Sequence, residues 1–121
     1  MTINNFKYFP FSLKLNNPFQ TSSQTITGRN GFIISITDEL GNTSFGECSP
    51  LPGLSFETYE DAERILKGLQ HQMIGFSAEE NFNSVAELLL EFLLVPSLQF
   101  ALEQDIIGLM IKRNRNFIKD I

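Results

Sequence analysis

A single cysteine, Cys48, stands among the 121 residues, so neither an internal disulfide nor a zinc site built from several cysteines is available. With no histidine near it in sequence, Cys48 reads as a small core residue rather than a nucleophile. The one histidine, His71, lies between Leu69 and Met73 and reads as a surface residue. Positive charge is also scarce: nine Lys and Arg against fourteen Asp and Glu leave a net charge of -5. Only "KRNR" at 112–115 clusters. Nucleic acid normally requires a concentrated basic face, so it is excluded, and "KRNR" reads as favourable charge at a helix C-terminus. The longest apolar run, "LLLEFLLV" at 88–95, contains Glu91 and falls well short of the roughly 20 residues a membrane helix needs. "MTINNFKYF" lacks the charged and apolar regions of a secretory signal. A cytoplasmic protein without membrane attachment is expected.

What is present is enough for one globular domain, with 42% apolar residues to build a core. The two halves differ in texture. In "FKYFPFSLKL", Phe9, Phe11, Leu13 and Leu15 alternate with Pro10, Ser12 and Lys14, the period of a half-buried strand. Pro10 cannot donate to a ladder, which points to an edge strand or a bulge. A polar connection is expected over 16–31, "NNPFQTSSQTITGRNG", long for a compact domain and hence functional or disordered. "FIISITD" then places Phe32, Ile34 and Ile36 on one face, and "TSFGEC" can return beside it through a turn at Gly41 and Asn42.

After residue 55 the period becomes helical. Ala62, Ile65, Leu66, Leu69 and Met73 form one stripe, with Thr58 as N-cap, Asp61 three residues on, and Gly75 as the stop. "SVAE" at Ser84 opens a second helix to about Leu94, and Pro96 or Ser97 opens a third. The third is apolar over much more than one face, as expected of a helix held between two partners, one of them the sheet and the other absent from the chain. The fold class is therefore α+β: a three-stranded antiparallel meander followed by about three helices.

The residues themselves offer little chemistry. "GRNG" follows a polar segment and precedes a strand, the wrong order for a phosphate cradle. The acidic residues of "EDAER" and "EE" fall on solvated helix faces. No Lys-x-Lys pair and no series of βα units is found. The stretch "GECSPLPGLSFETYEDA" (46–62) is unusual: two prolines and two glycines stiffen a partly apolar loop between strand and helix.

"GRNGFIISITDELGNTSFGECSPLPGLSFETYEDA", followed by "PSLQFALEQDIIGL", resembles the N-terminal capping domain of the enolase superfamily, in the muconate lactonizing enzyme subgroup. The "GECSPLPGLSFET" form is most similar to the o-succinylbenzoate synthase family of menaquinone biosynthesis. Asp105 and Gly108 depart from that pattern, which more often has a small apolar and an acidic residue there. The resemblance implies that residues 1–121 are a single capping domain, that a TIM-type barrel begins after residue 121, and that this barrel holds Mg²⁺ and the catalytic residues. It implies metal-assisted abstraction of a proton α to a carboxylate, then loss of water. By itself the chain would then be inactive, its partners being its own barrel and a small carboxylate substrate.

By the same resemblance, the connections at about 16–30 and 49–56 reach over the barrel mouth and enclose substrate. Thr25, Arg29, Leu51, Pro52, Gly53, Leu54 and Ser55 are the implied specificity residues. Arg29 would pair with a substrate carboxylate or form a salt bridge that orients its loop. Leu51 and Leu54 would wall the pocket or pack under the first helix, and Glu47 reads as structural, accepting loop N–H groups. Within the subgroup, N-acylamino acid racemase, dipeptide epimerase and muconate cycloisomerase activities remain alternatives. A free-standing α+β binding module is the other class.

Overall fold

A computed structural model of the chain describes residues 1–20, 25–50, 57–77 and 96–113. The expected helix from Ser84 to Leu94 and the specificity residues Leu51 to Ser55 lie outside the described residues. Three strands, β1 (Ile3–Gln20), β2 (Thr25–Asp38) and β3 (Thr43–Cys48), form an antiparallel sheet in the order β1-β2-β3. Two helices follow among the described residues, α1 (Tyr59–Met73) and α2 (Pro96–Arg113). The architecture is the α+β meander-plus-helices expected from the sequence.

Local chemistry explains the boundaries. The β2–β3 turn closes with the Gly41 amide donating to the Asp38 carbonyl at 3.2 Å, and Gly41 takes φ +86°. The Thr58 hydroxyl accepts from the Asp61 amide and the Asp61 carboxylate accepts from the Thr58 amide, each at 3.1 Å. That reciprocal pair is the capping box read from the sequence. Pro10 lies on β1, an edge strand, as its missing N–H led one to expect.

Phe6, Ile36 and Ser44 share one row of the inner sheet face. Tyr8, Ile34 and Gly46 share the next, and Pro10, Phe32 and Cys48 the third. Phe32 stacks on Tyr59 with centroids 4.5 Å apart and meets Tyr8 edge-on at 5.8 Å, joining the sheet to α1. From α1, Ala62, Leu66, Leu69 and Met73 enter the core. From α2 come Leu98, Ala101, Leu102, Ile106, Leu109 and Met110. Each large side chain so buried contributes about 1.5–3 kcal/mol. On the opposite side of α2, Phe100 is exposed and Ile107 and Ile111 half-buried, the second apolar side noticed in the sequence.

Helix α2 lies unusually close to β3. A Cβ at Gly46 would collide with the Ala101 carbonyl oxygen, and one at Gly108 with the Ser44 hydroxyl. At Gly46, where the obstacle is backbone, glycine is what admits that spacing.

Two expectations need correction. The described residues within 16–31 are strand rather than loop, because β1 runs to Gln20 and β2 starts at Thr25, with Gln20 paired to Thr25. The irregularity is confined to a bulge between Lys14 and Phe19, where Pro18 cannot donate. Asn16, Asn17, Pro18 and Gln20 are all exposed, so no buried apolar residue among them signals a strand, and pairing resumes at Phe19 and Gln20. The alternation of Phe9, Phe11, Leu13 and Leu15 is real, but it marks the outer face. Phe6 is the buried one, while Phe9 and Leu13 stand at least half exposed, beside Phe45 from β3. A one-residue shift in register exchanges the two faces of a strand, and the helices cover only the face that carries Phe6 and Tyr8.

Candidate functional site

The sheet has two unlike ends. At one, the β2–β3 turn is closed by Asp38. Its Oδ1 accepts from the Leu40 and Asn42 amides at 3.0 and 2.8 Å, and its Oδ2 from Asn42 Nδ2 at 3.2 Å and Arg113 Nη1 at 3.1 Å. Burial alone would raise the Asp38 pKa, but these hydrogen bonds, led by those from Asn42 and Arg113, outweigh it and hold it below the usual value. Arg113 also pairs with Glu39 at 2.7 Å, and Lys112 donates to the Thr43 carbonyl. The "KR" of "KRNR" thus puts positive charge in the last turn of a helix, as expected, and also clamps a turn.

At the other end the β1–β2 hairpin outruns β3. The ladder between β2 and β3 starts at Phe32 and Cys48, so Thr25–Gly31 pairs only with β1. At roughly 3.3 Å per residue this arm projects about 20 Å past the exit of β3. Both segments implied as substrate-enclosing, the hairpin and the stretch after β3, therefore leave the sheet at the same end.

Arg29 joins them. It lies on the arm opposite Leu13, and its Nη2 donates to the Ser49 carbonyl oxygen at 3.4 Å. The Ser49 hydroxyl donates to Glu47 Oε1 at 2.7 Å, and the Glu47 amide donates to Gln104 Oε1 on α2 at 3.1 Å. Glu47 thus reads as structural, but among the described residues its carboxylate accepts from a side-chain hydroxyl rather than from loop amides. Arg29 Nε is buried and has no partner. A buried guanidinium N–H without an acceptor costs free energy until one arrives, and a carboxylate suits that geometry. Thr25 is exposed and begins β2, four residues farther along the arm, so the structure does not bring it to Arg29.

Glu57, which sequence reasoning did not single out, opens the described residues after 51–56. Glu57 Oε1 accepts from the Ser97 amide at 2.9 Å, and the Cys48 thiol donates to the Ser97 hydroxyl at 3.5 Å. Burial pushes the Cys48 thiol up, with the Glu57 charge adding to it. Cys48 is fully buried, which suits the core role assigned to it and not a nucleophilic one. Partners 40 and 49 residues apart leave no periodic mark in a sequence. Among the described residues no group of three His, Cys, Asp or Glu could hold a metal ion, and no helix is long and apolar enough to cross a membrane.

Comparison with known proteins matches residues 3–105 to the family described as "MenC, N-terminal domain". An o-succinylbenzoate synthase of Vibrio cholerae is 38% identical over 66 residues, which cover 54% of this chain and 18% of that protein. Among solved structures, a dipeptide epimerase from Methylococcus capsulatus, complexed with Mg and the dipeptide L-Arg-D-Lys, superposes with a TM-score of 0.73 at 18% identity. The match covers 93% of this chain and 32% of that one. The L-Ala-D/L-Glu epimerase from Bacillus subtilis gives 0.62 at 20% identity, covering 77% of this chain and 25% of that one. These likenesses show the fold, and this chain spans less than a third of each protein named.

Proposed function

Because the chain belongs to the MenC N-terminal domain family, we propose that it is the cap of an o-succinylbenzoate synthase-like enzyme acting in menaquinone biosynthesis in the cytoplasm. The observation that carries this reading is the family match over nearly the whole described chain. The shared end from which the arm and the 49–57 stretch emerge supports it. On this reading the rest of the enzyme, a barrel, removes the proton α to the substrate carboxylate and expels water. The cap contributes specificity by closing over the substrate and excluding water.

Arg29, with Nε buried and unpaired, receives a carboxylate of the substrate. Leu51, Pro52, Gly53, Leu54 and Ser55 supply a stiff, mainly apolar wall, and Thr25 adds a hydroxyl near the tip of the arm. A stiff wall loses less entropy on closing than a floppy one. The Mg²⁺ of such enzymes stabilises a developing enediolate, and on this reading the barrel supplies its ligands. The chain by itself is inactive.

The test is an assay of the longer enzyme carrying this cap for conversion of substrate to o-succinylbenzoate, with Mg²⁺ and after chelation. Turnover that disappears on chelation and returns with Mg²⁺ supports the reading. Racemisation of N-acylamino acids or epimerisation of dipeptides in place of dehydration would reassign the reaction within the superfamily. Turnover by the purified 121-residue chain alone would overturn the assignment.

A further inference from the structure

Among the described residues the helices cover one face of the sheet. On the other face the register sets Lys7, Ser35 and Phe45 in one row and Phe9, Ile33 and Glu47 in the next. Phe9 is 50% exposed and Phe45 62%, with Ile33 half-buried between the two edge strands. A polar row of Asn5, Thr37 and Thr43 closes this patch towards the β2–β3 turn, and its two threonine hydroxyls bond to each other at 2.9 Å. Phe11 closes it towards the arm: it lies beside Gly31, where an added Cβ would stand 3.0 Å from its ring. Arg29 pairs with Leu13 one row farther out, beyond the patch.

The charges on this patch select what fits it. In a chain of net charge -5, the patch carries one Lys and one Glu, on opposite edge strands. Four projecting side chains stand around β2, with Lys7 and Glu47 on one diagonal and Phe9 and Phe45 on the other. Two copies meeting face to face about a two-fold axis along β2 lay β1 of one over β3 of the other. Phe9 then packs beside Phe45 of the partner subunit, and Lys7 reaches Glu47 of the partner subunit, each contact occurring twice. An axis across the strands instead brings Lys7 to Lys7 of the partner subunit, which like-charge repulsion disfavours. The favoured arrangement also keeps the strands of the two sheets aligned, as packed sheets prefer.

We propose that this face is the contact of a homodimer, two copies of the chain packed sheet to sheet. Three strands and four rows present roughly 400 Å² per copy, the small end of specific interfaces, so the dimer is weak and reversible. The arm and Arg29 stay outside the contact, and the proposal stands apart from the reaction assigned to the enzyme.

Sedimentation equilibrium of the 121-residue chain tests it, with a dimer expected at a Kd of about 10–100 µM. Lys7→Glu and Glu47→Lys, each alone, set like charges together on both sides of the axis and are expected to raise Kd about tenfold. The double variant restores the opposite pairing and is expected to return Kd to within about threefold of the parent chain. Phe45→Glu, at a position already exposed, should leave the chain monomeric at every concentration tried. A parent chain that stays monomeric up to about 500 µM overturns the proposal, as do charge reversals without effect or with losses that simply add. So does a dimer that survives Phe45→Glu and disappears in Phe100→Glu, because the outer side of α2 is then the contact.

Discussion

Asp38 and Asp105 are both shut away from water, at 1% and 0% exposure, yet their surroundings are opposite. The Asp38 carboxylate receives two amides, a side-chain amide and a guanidinium at the corner where β2 turns into β3. Asp105 points from the middle of α2 at Gly46, and neither of its oxygens has a partner. Burial alone pushes the Asp105 carboxyl up to about 8, so it is mostly protonated at neutral pH. Burial is thus tolerable for a charge whose donors are built around it, and unfavourable where no donor meets the carboxyl. One corner is finished; the other joint carries a carboxyl it does not use.

Removing the satisfied carboxylate should give the largest effect. Asp38→Ala strips Arg113 and the turn amides of their acceptor, and is expected to cost about 3 kcal/mol by denaturant unfolding. A loss below about 0.5 kcal/mol would erase the contrast. Asp105→Ala should do the reverse and stabilise the fold by about 2 kcal/mol at pH 7, since it removes a buried polar group without partners. Destabilisation by that substitution would show that Asp105 has a partner after all.

The pH dependence sharpens the contrast because the two signs differ. Asp38 has a lowered pKa in the folded state, so its stabilisation is present above the unfolded value of about 3.9 and is lost as pH falls below it. The Asp105 pKa is raised, so between about 3.9 and its folded value of about 8 the native state keeps a proton that the unfolded chain has released. Stability therefore declines across that interval and levels off above it. In Asp105→Ala the decline should be markedly shallower between pH 5 and 8, while the acid limb stays in place. An unchanged slope would sink this account. Smallest of the set, Arg113→Met removes one of the four donors to Asp38 and should cost about 1 kcal/mol, moving the acid limb to higher pH. Melting curves from pH 2 to 5 check it.

The sequence exposed some of these elements and hid others for identifiable reasons. The capping box at Thr58 and Asp61, the turn at Gly41 and the extent of β3 depend on residues within a few positions of one another, and all were legible. The continuation of the hairpin through Asn16, Asn17 and Pro18 was not, because these exposed polar residues and a proline show no alternation. Nor was the face of β1 that enters the core, since Phe9 and Phe11 are as apolar as Phe6. At the candidate site Arg29 was singled out, but its contact with Ser49 was not foreseen. Glu57 went unnoticed because its partner lies 40 residues away.

By itself the sequence settled the α+β class, the capping box of α1 and the kinship carried by "GECSPLPGLSFET", all matters of short-range spacing and residue type. Which side of the sheet was covered, which of two buried aspartates found donors, and which carboxylate met the start of α2 were decided only when distant segments packed. Burial and hydrogen-bond satisfaction belong to the three-dimensional neighbourhood of a residue, and its chain neighbours do not specify it.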